Sequence, residues 1–501
     1  MIKRTDNQEF STAFILIEIK LHHKETDMRH TQKFFIDGAW VDPAVPAMMD
    51  VIDPSTERQF AQIAVGSEED VDRAVKAARN AFPAWAGVPV EERIAVLKRV
   101  LTIYNEKYEL MAQTISREMG APISWARDAQ AYAGRGHLEA TIKAAETFEW
   151  QSKRGSTLVI REPIGVCGLI TPWNWPMNQI VCKVAPALVA GCTVVLKPSE
   201  IAPLSAILFA EIIEAAGVPK GVFNLINGTG PEVGQKMAAH PDIDMMSFTG
   251  STRAGINVAQ TAADTVKRVT QELGGKSPNI VLPDADFEKA IGSGVIAAMN
   301  NTGQSCDAPT RMLVPAERHQ EVLAMAKIIA EKIIVGDPRD EATTMGPLIS
   351  AQQFAKVQRL IQSGIDEGAV LVTGGLGKPD GITHGYFVKP TIFGNVSQEM
   401  AIAREEIFGP VLSIMPYRDE DQAIDIANDT LYGLAAYIWS GDNSRARNVA
   451  KRIRAGSIYL NGPDWDLFAP FGGYKQSGNG REYADWGIHD YTEIKGICGW
   501  D

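Results

Sequence analysis

Apolar positions three and four residues apart run through the first third of the chain, then give way near residue 157 to short β-branched runs. Val71, Ala74, Val75, Ala78 and Phe82 recur at helical spacing behind Ser67-Glu68-Glu69-Asp70, a helix-starting sequence with an acidic first turn. A longer amphipathic helix is predicted from about Glu91 to Gly120, with Ile94, Leu97, Leu101, Tyr104, Tyr108, Met111 and Ile115 on one stripe. Thr157–Ile160, Val166–Ile170, Thr193–Leu196, Val222–Ile226 and Met245–Phe248 read as strands, alternating with helical patterns such as Ala202–Ala216. That alternation predicts parallel βαβ units. Past a composition shift near Gly274–Pro278, a second α/β region is expected: strand Asn279–Leu282, helices His319–Ile334 and Gln353–Glu367, and strand Val370–Thr373.

Parallel sheets bind ligands at the carboxyl ends of their strands, so the residues just past each run carry the interest. After Ile170 comes Thr171-Pro172-Trp173-Asn174-Trp175-Pro176, either a rigid packed turn or an amide held to donate a hydrogen bond. Lys197-Pro198-Ser199-Glu200 reads locally as a helix entry. Asn227-Gly228-Thr229-Gly230-Pro231-Glu232-Val233-Gly234 is GxGxxxG and misses the GxGxxG dinucleotide fingerprint. Phe248-Thr249-Gly250-Ser251-Thr252 and Gln271-Glu272-Leu273-Gly274-Gly275-Lys276 are small-residue turns that permit close approach of a phosphate or substrate.

Of five cysteines, Cys167, Cys182 and Cys192 sit in apolar runs and read as core. Cys306 ends a polar loop, Asn300-Asn301-Thr302-Gly303-Gln304-Ser305-Cys306. A nucleophilic thiolate needs a polar, partly exposed setting, and this loop offers one. Local context alone leaves Cys306 open between nucleophile and structural cysteine.

With 501 residues, 45% hydrophobic and 22% charged, the chain has the composition of a soluble globular protein of two or three domains. A formal charge of -12 argues against nucleic acid or an anionic membrane as partner. An odd number of scattered cysteines without a CxxC pair fits neither a disulfide framework nor a zinc site, so no metal is expected and a reducing, cytoplasmic compartment is. No apolar run reaches the roughly 18 residues of a membrane span. The run Phe14–Ile17 behind Lys3 and Arg4 stops at Glu18 without a cleavage site, a poor signal peptide. Residues 1–33 are expected to be an extension, disordered or non-native, with Met28 as an alternative start.

Seven stretches in one order resemble the NAD(P)-dependent aldehyde dehydrogenase superfamily, of the hydrolytic, non-CoA type. They are Pro172-Trp173-Asn174, Lys197-Pro198-Ser199-Glu200, Phe248–Thr252, Glu272–Pro278, Gly303-Gln304-Ser305-Cys306, Glu405-Glu406-Ile407-Phe408-Gly409-Pro410 and Pro470-Phe471-Gly472-Gly473. The resemblance implies that Cys306 attacks the aldehyde, that Asn174 and the Cys306 N–H hold the oxyanion, that Glu272 activates the hydrolytic water, and that Lys183 relays protons. It implies an NAD site of Ile170, Pro172, Trp173, Lys197, Ser199, Glu200, Gly230, Gly234, Gly250 and Ser251, with Glu406 and Phe408 at the nicotinamide ribose. The carboxylate of Glu200 should repel a 2′-phosphate and favour NAD over NADP.

The implied fold is α/β: a variant doubly wound cofactor domain (34–139 and 163–273), a catalytic domain (274–481) and a bridging β element (140–162 and 482–501) that makes a homodimer or homotetramer. Departures from the family pattern at Asp307 and at Asn461–Ala469 suggest an aromatic tunnel of Trp175, Met177, Trp465 and Phe471 with three acids, Asp307, Asp464 and Asp466. Such a tunnel disfavours carboxylated aldehydes and favours neutral or cationic ones, a neutral aromatic or medium-chain aldehyde being expected. A CoA-acylating dehydrogenase is the alternative within enzymes, against which Glu272 argues; a non-catalytic protein of the same fold is the alternative outside them.

Overall fold

A computed structural model of the chain describes residues 30–501. The expectations about the N-terminal extension and Met28 fall on residues 1–29, outside the described residues. Two sheets organise the rest. The first has eight strands. Its five central ones, in the spatial order Arg268–Glu272, Met245–Thr249, Val166–Ile170, Thr193–Lys197 and Phe223–Leu225, are parallel. From Val166–Ile170 the chain winds outward through the next two strands, then returns to place Met245–Thr249 on the other side. The crevice at the carboxyl ends of Val166–Ile170 and Met245–Thr249 is therefore the topological switch point, where ligands bind in such sheets.

The second sheet has seven strands, parallel except for the edge strand Val370–Thr373. Pro278–Val281 lies between Arg311–Pro315 and Ala435–Trp439. The strands are apolar on both faces because helices cover both, as parallel packing requires. The short strand Gly478–Asn479 returns to the first sheet and pairs with Arg268–Glu272, tying the end of the chain to the strand that carries Glu272.

Four expectations are corrected. The stripe from Glu91 to Gly120 is two helices, Val90–Glu106 and Tyr108–Met119, because Lys107 leaves helical geometry (φ -101°, ψ 11°). Tyr104 and Tyr108 flank the break, and their hydroxyls donate to the carbonyls of Ala131 and Arg127. Thr157–Ile160 does not join the parallel sheet. It is part of Thr157–Pro163, which pairs antiparallel with Gln151–Arg154 and Thr492–Cys498 in a separate three-stranded sheet. Residues 140–147 are the end of the helix Tyr132–Thr147, packed in the core of the first sheet and not in this small one. The helix begun at His319 ends at Ala330. Among the described residues no helix is long and apolar enough to cross a membrane.

Candidate active site

The loop bearing Cys306 is held in a conformation few sequences tolerate. After the helix Phe287–Met299 the chain passes through three successive left-handed residues, Asn301, Thr302 and Gly303 (φ 55°, 58° and 69°). A β-branched residue such as Thr302 is strained there and persists only where its surroundings hold it. Thr302 Oγ1 donates to the Gly346 carbonyl at 3.1 Å. The Asn301 amide donates to the carbonyl of Asn174 at 2.9 Å, and Gln130 Nε2 donates to that same carbonyl and to Asn301 Oδ1, each at 3.0 Å. Glycine is obligatory at two points of the loop's packing: a Cβ on Gly303 would lie 2.2 Å from the Gly409 carbonyl oxygen, and one on Gly275 would lie 2.2 Å from the Cys306 carbonyl oxygen.

This packing brings the sequence-predicted residues together from four segments. Asn174 is buried, and its Nδ2 donates to the Gln304 carbonyl at 3.0 Å, which leaves the other N–H of the amide uncommitted. Trp175 Nε1 donates to Ser305 Oγ at 2.8 Å. Glu272 ends its strand buried, with neither carboxyl oxygen paired to a described residue. Gly472 lets it lie against the backbone, since a Cβ there would be 2.7 Å from Glu272 Oε1. Burial pushes the Glu272 carboxyl well above its usual range, with the Glu482 carboxylate adding to the effect and Lys183 opposing it. The Cys306 thiol is also raised, by burial first and then by the carboxylates of Asp307, Glu406 and Glu272.

Glu406 joins this centre to the crevice of the first sheet. Its Oε1 accepts the Gly275 N–H at 3.0 Å, and Gly274 must lack a side chain to admit it. Burial raises its carboxyl, opposed by that N–H and by Lys356 and Lys276. Phe408, at φ 59°, packs edge-on against Trp173 with ring centroids 5.4 Å apart. Farther along the crevice the buried Lys197 ammonium donates to the Pro198 carbonyl and to Glu200 Oε2, each at 2.9 Å. Ser199 Oγ accepts the Ile201 N–H, and Gly234 faces both Ile170 and Lys197. Ser251 caps the helix Thr252–Ala262, and the Gly250 N–H donates to the Glu272 carbonyl at 3.1 Å. Pro172 follows Ile170 at the mouth of the same crevice, and Gly230 opens the turn that ends at Gly234.

Cys306 opens onto a cavity of about 370 Å³. Trp125, Trp175 and Trp465 stand in series along one side, with centroids 5.9 Å and 6.0 Å apart. Phe471 is stacked on Tyr483 at 5.1 Å, and Asp307 and Asp464 also line the space. Two assignments are corrected. Met177 does not line the cavity: it is fully buried in the first core against Gly134, because each helical step turns by about 100° and the wall is built by Asn178 and Gln179 instead. Asp466 lies outside the lining and turns back to accept the Phe468 N–H at 2.9 Å, so two acids face the cavity and not three.

Sequence reasoning missed Glu482, Trp125, Gln130 and Asn279. Glu482 is ion-paired with the buried Lys183 and accepts from Cys182 Sγ at 3.2 Å. Its one local signal is the β-bridge that sets it opposite Phe471, which only the fold reveals.

The aldehyde dehydrogenase family model matches residues 40–497. The chain is 54% identical over 475 residues to 3-succinoylsemialdehyde-pyridine dehydrogenase of a Pseudomonas species, covering 95% of this chain and 100% of that one. It superposes with a TM-score of 0.94 on a cysteine-to-alanine variant of aldehyde dehydrogenase C (AldC) from Pseudomonas syringae, in complex with NAD+ and octanal; the identity is 56%, over 94% of this chain and 97% of that one. The Mycobacterium tuberculosis aldehyde dehydrogenase bound to NAD+ gives a TM-score of 0.91 at 40% identity, over 93% and 98% of the two chains. Matched by the family model over residues 40–497 and more than half identical to relatives covered almost end to end, the chain belongs to the aldehyde dehydrogenase family.

Proposed function

We propose that this protein is an NAD-dependent dehydrogenase that oxidises neutral aldehydes, aromatic or medium-chain, to carboxylic acids. The observation that carries the reading is Cys306 at a tryptophan-walled cavity, its thiol raised in part by the buried carboxyl of Glu272, which has no hydrogen-bond partner among the described residues. The cofactor's place is supported by idle polar groups at the carboxyl edge of the first sheet: Thr171 Oγ1, Thr249 Oγ1 and both side-chain atoms of Asn227 are buried and unpartnered among the described residues. Lys197 and Glu200 would hold the adenosine ribose, Gly230, Gly234, Gly250 and Ser251 the diphosphate side, and Glu406 and Phe408 the nicotinamide ribose. Glu200 favours NAD over NADP.

Cys306, once deprotonated, adds its sulfur to the aldehyde carbon. The oxyanion of the thiohemiacetal is held by the free Asn174 N–H and the Cys306 backbone N–H; one such donor is worth about 3–4 kcal/mol in the transition state. A bound NAD would supply a hydride acceptor here, so that the C–H bond of the thiohemiacetal leaves with its hydrogen and both electrons and a thioester remains on Cys306. Glu272 takes a proton from water as that water attacks the thioester carbon, releasing the acid and restoring the thiol. The buried Lys183–Glu482 ion pair, whose charges act on the Glu272 carboxyl, would relay that proton onward. A carboxyl poised to activate water supports hydrolysis over CoA acylation.

For the substrate, the tryptophan series and the acids Asp307 and Asp464 support an uncharged aldehyde. The names of two relatives point the same way, one to a pyridine-bearing semialdehyde and one to octanal. The exposed strand Thr492–Cys498, at the edge of the small sheet, supports assembly as a homodimer or homotetramer. The test is NADH formation with octanal, an aromatic aldehyde and succinate semialdehyde, with Cys306→Ala as control. NAD-dependent oxidation with the neutral aldehydes ahead in kcat/KM, lost in the variant, is expected. Preference for succinate semialdehyde would refute the substrate class, and silence with every aldehyde would refute the activity.

A further inference from the structure

The cavity at Cys306 extends past its tryptophan wall. Its other arm runs beneath the helix Phe287–Met299, over the face of the second sheet that bears Asn279 and Tyr437. Strand pairing sets these two residues side by side, and the Tyr437 hydroxyl donates to the Asp307 carbonyl at 3.3 Å. Asn279 is 1% exposed, yet neither Nδ2 nor Oδ1 has a partner among the described residues. Native folds rarely leave a buried amide idle, because it loses its water without gaining a hydrogen bond. The helix above is shaped around it: a Cβ on Gly294 would fall 2.3 Å from Asn279 Nδ2. None of the catalytic steps uses this amide.

We infer that this arm is a second, polar subsite in which the Asn279 amide donates to an uncharged acceptor carried by the aldehyde away from its reacting carbon, a carbonyl oxygen or a heteroaromatic nitrogen. The inference rests on the function proposed above and deepens it to bifunctional aldehydes. The rings of Tyr437 and Tyr459, stacked with centroids 4.9 Å apart, give a planar group an apolar flank. Asp307 on the same floor disfavours an anionic end. A plain alkanal is served by the tryptophan arm and has nothing to offer Asn279.

The experiment compares kcat/KM for octanal and its γ-oxo derivative, with NAD, in the wild type, Asn279→Leu and Asn279→Ala. Loss of one neutral hydrogen bond predicts a drop of about tenfold for the oxo-aldehyde in both variants, with octanal changed by less than about twofold. Retained octanal turnover shows that the variants are folded. An equal loss on both substrates, or no loss on the oxo-aldehyde, overturns the subsite and leaves the dehydrogenase reading intact. A wild type that oxidises neither substrate overturns both.

Discussion

Two buried ionisable groups show how differently the fold spends its polar side chains. Arg311, 1% exposed on the second sheet, donates to the carbonyls of Lys276, Ile426 and Ala427 at 2.9, 2.8 and 2.9 Å. It closes the end of the helix Glu420–Asn428 onto the strand, and its donors are aimed at backbone that would otherwise be orphaned. Glu272, 4% exposed on the first sheet, has no hydrogen-bond partner among the described residues. Burial therefore lowers the Arg311 guanidinium to about 10 but leaves it charged at neutral pH, whereas it keeps the Glu272 carboxyl protonated far above its usual range. A satisfied buried ionisable group is a pin. An unsatisfied one is held in reserve for a group that arrives later, at a cost in stability.

The largest effect expected from this contrast is on Glu272→Gln, with kcat lowered about 10²–10⁴-fold for loss of a general base. Its melting temperature should stay level or rise, because a neutral amide replaces an unpaired carboxyl. Arg311→Ala should behave in the opposite sense, with stability falling in chemical denaturation by about 1–3 kcal/mol for each carbonyl left unpaired and kcat per folded site close to wild type. Loss of activity without loss of stability in Arg311→Ala would dissolve the comparison. The smallest effect is the pH response. The proposed reaction uses the Cys306 thiolate and the Glu272 carboxylate, and both groups are raised, so kcat/KM should climb from neutral into alkaline pH. A limb in the ordinary carboxylate range, near pH 4.5, would mean that Glu272 is solvated and partnered.

The chemistry was more legible in the chain than the walls around it. Cys306 and Asn174 stayed ambiguous in local context, and with Glu272 they acquired their proposed roles only from seven motifs in the family's order, whereas strand Val166–Ile170 was visible from its β-branched run and the proline-rich turn after it. The break at Lys107 was hidden because the apolar stripe continues on both sides of it, and only the anchoring of Tyr104 and Tyr108 to segment 126–131 explains it. Met177 and Gln179 differ by a rotation about a helix whose neighbours a sequence does not display. Glu482 and Asn279 acquire meaning from partners, or from the lack of them, across nearly 300 residues in the first case and across a cavity in the second.

The most direct test of the division of labour between Cys306 and Glu272 is the intact mass of Glu272→Gln after a single turnover with NAD and octanal, followed by peptide mapping. With the base removed, the account predicts an acyl group retained on Cys306 in proportion to the NADH formed. NADH released with no adduct, or an adduct on any other residue, would contradict it.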